Sequence, residues 1–240
     1  MSLWSTCRGE QYRQFVEAAA WRVVEGQHVS SSRDLVDSIE EHDLLENLLE
    51  ESKPTIVTDK HYLIFTPFRY PPLKYGSRFG SQYEPSIWYG SLDLQTAFSE
   101  VAYYRLKFFD DTLANLGFIE IPMTIFNAYL KSDNGVDLTR HPFSDYQDKI
   151  SNKNNYEYSQ ALGADMRQSG IEVFIFLSAR TRYAGKNIAA FTSAVFNMRN
   201  NQYVSTIQNW QCLANKNNIE LTRWDVFSKE RLVFSKDDFK

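Results

Sequence analysis

The sequence predicts an α+β fold. Three observations carry that expectation. Helix-like periodicity comes first, over residues 8–25 and 32–52, and strands and helices then mix without a regular βαβ alternation. The segment FIEIPMTI (118–125) alternates apolar and polar residues, with Ile119, Ile121, Met123 and Ile125 on one face, as a half-buried strand does. The segment IEVFIFL is apolar but for Glu172, as a short buried strand is.

Taken in order, RGEQYRQFVEAAAWRVVE (8–25) reads as a helix ended by Gly26, with Phe15, Ala18, Ala19, Arg22 and Val23 near one face. A second helix follows, with Ser32 as N-cap and Pro54 beyond its end. Leu35, Ile39, Leu45, Leu48 and Leu49 give it an apolar stripe, and its acidic residues form either a solvated face or a docking surface for a basic partner. HYLIFTPF (61–68) is strand-like and RYPPLKYGSRFG (69–80) is a loop stiffened by Pro71 and Pro72. IWY (87–89) is a short strand, and Ser91 is an N-cap or turn residue for a helix over 93–107. On that helix Leu94, Ala97, Phe98, Val101 and Ala102 face the core, and Glu100 lies at the margin of the stripe, where a residue can line a cleft. Pro122 suggests an edge position or a bulge. Residues 132–157 read as a long polar loop, 158–168 as a helix, and FTSAVFNMR and LTRWDVF as further strands.

The chain has 240 residues, enough to bury a core without staples, and a formal net charge of -4. Nothing suggests the basic face that phosphate backbones require. Two cysteines, Cys7 and Cys212, imply no disulfide framework, and four scattered histidines show no metal spacing. No signal peptide is legible, and the longest apolar run falls far short of the ~20 residues that span a bilayer. The expectation is a cytoplasmic protein with no nucleic-acid partner, no membrane segment and no metal.

No phosphate-binding glycine loop is present, and Gly90–Ser91 lacks the surroundings of a serine nucleophile. What remains is a set of polar residues at the ends of apolar elements: Arg69, Arg78, Tyr89, Glu100 and Ser178. Paired guanidinium groups suit a phosphate or pyrophosphate. A carboxylate beside them suits a ribose hydroxyl or the cationic sugar formed when a glycosidic bond breaks. Composition and spacing alone reach an α+β domain with a cleft for an anionic ligand.

Four stretches, FTPFRY (65–70), YGSRFG (75–80), IWYGSLDLQTAFSEVAYYR (87–105) and SGIEVFIFLSARTRYAGKNIAAF (169–191), together resemble the RES-domain family, named for its Arg, Glu and Ser residues. The likeness covers roughly residues 60–195 and implies a RES domain over 56–240 preceded by a helical N-terminal extension over 1–55. The one departure is LSAR (177–180), where many members carry a proline before the serine. The resemblance implies an ADP-ribosyltransferase-like fold and an enzyme that consumes NAD as substrate, with no cofactor and with phosphate as a candidate co-substrate. It implies the toxin of a toxin–antitoxin pair, with an antitoxin protein as partner. Carried over, Glu100, Arg69 and Ser178 are the catalytic candidates, and Arg78, Tyr89, Tyr70 and Asn187 the substrate-binding ones. Hydrolysis and phosphorolysis of NAD, ADP-ribosylation of a protein, and non-catalytic nucleotide binding all stay open. The N-terminal segment is a candidate cover, homodimer contact or antitoxin contact.

Overall fold

A computed structural model describes residues 2–26, 32–52, 60–70, 72–224 and 228–239. Pro54, Pro71 and residues 225–227 of LTRWDVF lie outside the described residues. Six helices are described: α1 (Leu3–Thr6), α2 (Ile39–Glu51), α3 (Tyr62–Arg69), α4 (Leu94–Asp111), α5 (Gln147–Ile150) and α6 (Glu157–Gln168). The eight described strands are β1 (Gln14–Glu25), β2 (Trp88–Ser91), β3 (Ile119–Asp137), β4 (Val173–Leu177), β5 (Lys186–Ala190), β6 (Val204–Ala214), β7 (Asn218–Trp224) and β8 (Lys229–Ser235). All eight belong to one sheet in the order β1-β2-β5-β4-β3-β6-β7-β8. Because β1 also pairs with β3, the first five strands close on themselves, and β6, β7 and β8 extend the sheet from β3. The β3–β4 pairing is parallel, and the rest are antiparallel. The architecture is α+β, as the sequence predicts.

The clearest correction is β1. Residues 14–25 form a strand, paired with β3 from Gln14↔Gly135 to Glu25↔Met123. Three alanines and two glutamates give the segment helix propensity, but Val16, Trp21, Val23 and Val24 suit a pleated surface, and a ladder of that length overrides local preference. Residues 14–25 are therefore part of the sheet, while α1 and a 3-10 turn at Gly9–Tyr12 precede them; among the described residues before 56, α1 and α2 are the α-helices. Ser38, not Ser32, caps α2, its hydroxyl accepting from the Glu41 N–H at 3.1 Å. HYLIFTPF is helical instead of extended: α3 buries Leu63 and Ile64 and is capped by the His61 ring. Short apolar runs do not distinguish the two states by periodicity.

Asp93, not Ser91, caps α4, its carboxylate accepting from the Thr96 N–H at 2.7 Å. Ser91 is instead the last residue of β2. Pro122 pairs with Gln211 of β6 on one side and lies one residue beyond the end of the β1 ladder on the other, a local edge where its missing N–H breaks no ladder bond. The expected long loop over 132–157 is partly strand, since β3 runs to Asp137, and α5 follows. FTSAVFNMR holds a single 3-10 turn at Ser193–Val195 and no strand.

Two packing relationships position the site. Between α4 and the extended side of the sheet, Phe98, Leu106, Met123, Ile125 and Trp210 form one core cluster. Each such side chain contributes about 1.5–3 kcal/mol when fully buried. Around α6, Phe79, Leu162, Met166, Phe174 and Phe176 form another. Gly163 allows α6 to lie on the backbone of Phe79: a Cβ there would come within 1.9 Å of the Phe79 carbonyl oxygen. The Arg78–Phe79 turn is thereby held against the helix.

Candidate active site

A cleft of about 720 Å³ opens where β1, β2, α4 and the 76–87 segment meet. Glu100 stands in its wall, on the half-buried margin of α4 that the helical wheel assigns it. Its Oε1 accepts two hydrogen bonds, from the Ser178 hydroxyl at 2.6 Å and from Asn187 Nδ2 at 2.6 Å. Ser178 follows β4, and its own Oγ accepts from the Arg180 N–H at 3.0 Å, which directs its proton toward Glu100. Asn187 lies in β5 opposite Phe176. Its Oδ1 accepts from the Ser91 hydroxyl at 2.7 Å, which turns the amide so that its N–H faces the carboxylate. This gives Ser91 a role: it orients the amide that orients Glu100. Glu100 Oε2 has no hydrogen bond among the described residues, so one carboxylate oxygen is fixed and the other is open to a ligand.

Tyr89 reaches from β2 to the 77–80 turn. Its hydroxyl meets Ser77 Oγ at 2.9 Å and accepts from the Phe79 N–H at 3.2 Å. Burial pushes its pKa up to about 12, so it is a neutral hydroxyl at physiological pH. Arg78 is 8% exposed; it lines the cleft, donates to the Asn152 carbonyl at 2.7 Å and stacks over the Tyr156 ring at 4.5 Å. Tyr70 lines the rim, half exposed, and its carbonyl accepts from the Ser86 hydroxyl at 2.9 Å.

Six of the seven candidates thus converge on this region: Arg78, Tyr89, Tyr70, Glu100 and Asn187 line the cleft, and Ser178 is bonded to Glu100. Arg69 does not join them. It ends α3, pairs with Glu50 of α2 at 2.6 Å and lies outside the cleft lining. Helix α3 carries Pro67 and Tyr70 to the cleft and leaves the intervening arginine to α2.

Two further arginines line the cleft with Arg78: Arg105, which is paired with Glu25, and Arg22, which the sequence places on a helix face. In β1 it lines the cleft beside Tyr89. Its Nη1 donates to the Tyr89 carbonyl at 2.7 Å, and its guanidinium lies 5.2 Å from the Trp88 ring centre. The residue keeps some exposure, yet its Nε is buried without a hydrogen-bond partner among the described residues. Desolvation pulls its pKa down to about 10, which leaves it charged at neutral pH. A poorly compensated buried cation at a cleft wall is a natural anion site. An isolated arginine in an apolar, strand-compatible stretch was the available signal, and the strand reading was needed to use it.

The model of the RES domain matches residues 54–213. The chain belongs to the RES-domain family. None of the curated proteins matches the sequence. Among solved structures, the M. tuberculosis MbcT–MbcA toxin–antitoxin complex holds a chain with the same fold, at a TM-score of 0.51 and 9% identity, over 85% of this chain and 90% of that one. This RES protein therefore shares its α+β fold with a chain of that complex. The family match begins at residue 54 and so excludes β1, the strand that carries Arg22. Among the described residues no helix is long and apolar enough to cross a membrane.

Proposed function

We propose that this RES protein consumes NAD, cleaving the bond between nicotinamide and ribose, as a glycohydrolase or phosphorylase. The observation that carries the reading is the placement of Glu100, with one oxygen fixed by two donors and the other open, in the same cleft as Arg22 and Arg78. The two guanidinium groups suit a pyrophosphate, and the cleft is large enough for a dinucleotide.

Nicotinamide in NAD leaves as a neutral molecule, taking the electron pair of the glycosidic bond, so little acid catalysis is needed. The ribose left behind is oxocarbenium-like. The Glu100 carboxylate stabilises that charge and accepts from a ribose hydroxyl. Ser178 and Asn187 hold the carboxylate in place. Water or phosphate then forms the new bond at the anomeric carbon; attacking water releases its proton to solvent. Arg22 and Arg78 keep the pyrophosphate still while the sugar moves.

The test is incubation of purified protein with NAD, with and without phosphate. Free nicotinamide and ADP-ribose without phosphate support hydrolysis, and turnover that requires phosphate supports phosphorolysis. Turnover only with an added protein acceptor supports ADP-ribosyl transfer. Binding of NAD without turnover in every condition supports a nucleotide-binding module and overturns the enzyme reading.

The reading extends to a cytoplasmic toxin with an antitoxin partner, supported by the family and by the fold shared with a chain of a toxin–antitoxin complex. Its contact surface is α2, which buries none of its residues and exposes Ile39, Leu44, Leu48 and Leu49 beside an acidic face. Growth arrest on expression, relieved by a neighbouring gene product and restored by Leu44→Lys with Leu48→Lys, supports this; relief that persists in the double variant removes α2 from the contact, and a wild type that self-associates through α2 makes it a homodimer surface.

A further inference from the structure

Arg180 lies two residues beyond Ser178 and is 4% exposed. Its guanidinium stands 3.5 Å from the centre of the Tyr103 ring and 5.8 Å from that of Tyr104. Nη2 donates to the Lys153 carbonyl at 2.9 Å and to the Tyr156 hydroxyl at 3.0 Å, while Nε is buried without a partner among the described residues. Its compensation is thus two neutral oxygens and two aromatic faces. A buried cation held so is costly to keep unless its position matters.

What it holds is one short segment. Arg78 donates to the Asn152 carbonyl and stacks on the Tyr156 ring, so two buried arginines grip residues 150–156. Within the segment, Asn152 Oδ1 accepts from the N–H groups of Asn154 and Asn155, both at 2.9 Å. Tyr156 lines the cleft, and its hydroxyl lies 3.4 Å from that of Tyr104, which lines it too, one turn beyond Glu100 on α4. At its other end Arg180 contributes its main-chain N–H to Ser178, the partner of Glu100.

We propose that Arg180 is a positioning residue that ties the wall of the cleft to its carboxylate: its amide orients Ser178 toward Glu100, and its guanidinium, together with Arg78, fixes the 150–156 segment so that Tyr156 forms the wall against which the ligand packs. The proposal rests on the reading of the cleft as an NAD site. It separates the two ends of one residue. The amide serves the chemistry and survives side-chain substitutions other than proline, while the guanidinium serves the wall.

The test uses Arg180→Ala, Arg180→Lys and Tyr156→Phe in the full chain. The readouts are kcat and KM for NAD and, without NAD, hydrogen exchange of the 151–156 amides. In Arg180→Ala, KM rises about 10-fold, the size of one or two hydrogen bonds to a charged group, while kcat stays within roughly 3-fold. Exchange at 151–156 quickens by about 10-fold and that of β4 and β5 is unchanged. Arg180→Lys recovers part of the loss, since an ammonium reaches one acceptor but lacks the planar fork. Tyr156→Phe also raises KM, and its effect combines less than additively with that of Arg180→Ala. A fall in kcat at constant KM in Arg180→Ala, faster exchange throughout β4 and β5, or no change in either readout each overturns the proposal. A wild type that consumes no NAD defeats the functional reading instead, and the exchange measurement still decides whether Arg180 holds the segment.

Discussion

The Ser178 hydroxyl and the Glu100 carboxylate lie 78 residues apart in sequence and share a 2.6 Å hydrogen bond. With Asn187 on the same oxygen, the bond fixes a carboxylate at the margin of α4 without neutralising it. Removing the charge while keeping the shape isolates its role. Glu100→Gln is expected to lower kcat for NAD cleavage by about 100-fold or more, because the charge that stabilises the developing cation is gone. Circular dichroism and thermal unfolding should stay close to wild type, since Glu100 flanks the core and does not fill it. Near-wild-type turnover in this variant removes Glu100 from the chemistry.

Arg22 and Arg69 separate cleanly. Arg22→Ala is expected to raise KM for NAD by about 10-fold or more through loss of a charge-assisted phosphate contact. Its cost to folding should be small, because the buried guanidinium it removes has no carboxylate partner in the described structure. Arg69→Ala breaks an ion pair with a largely exposed Glu50 and is expected to cost at most about 1 kcal/mol, with KM unchanged. Steady-state kinetics on both variants decides which arginine serves the ligand; the opposite ranking would restore Arg69 to the site.

Gly163→Ala tests how the Arg78 turn is held. The added methyl meets the Phe79 carbonyl, which cannot move without shifting the turn. A destabilisation of about 1–3 kcal/mol is expected, seen as a Tm lower by roughly 2–12 °C for a chain of this size. KM should rise with it, as Arg78 shifts. An unchanged Tm would mean that α6 is free to retreat from the turn.

Tyr89 predicts an alkaline signature. Its hydroxyl ionises less readily in the fold, near about 12, than in the unfolded chain, near about 10. The contribution is complete below the unfolded value and is lost as pH rises through the folded one, because the unfolded chain releases its proton first. Tyr89→Phe should therefore be less stable than wild type at neutral pH, by about 1 kcal/mol for the lost bonds to Ser77 and Phe79. The gap should narrow between pH of about 10 and about 12. Denaturant titrations across that range measure it, and a gap that widens contradicts the assignment.

Much of the site was legible because its residues sit in short, strongly patterned stretches. Glu100 was placed by the periodicity of a helix long enough to define its faces, and Ser178 by the end of the apolar stretch VFIFL. Arg22 was missed because three alanines and flanking glutamates mimic a helix, and only pairing with β3 reveals a strand. Arg69 was misplaced for the converse reason: its aromatic-rich run reads as extended but folds as α3, which turns the arginine toward α2.

By itself, then, the sequence determined the α+β class and the family, and it picked out a carboxylate, hydroxyl, amide and turn arginine that the fold brings to one cleft, since these depend on residue type and on patterns a few residues long. Tertiary structure alone decided that Arg22 and not Arg69 reaches the cleft, what Ser91 bonds to, and that Arg180 joins the wall to the carboxylate. Those depend on pairings and packings between segments tens of residues apart, whose free energies outweigh the local preferences that a sequence displays.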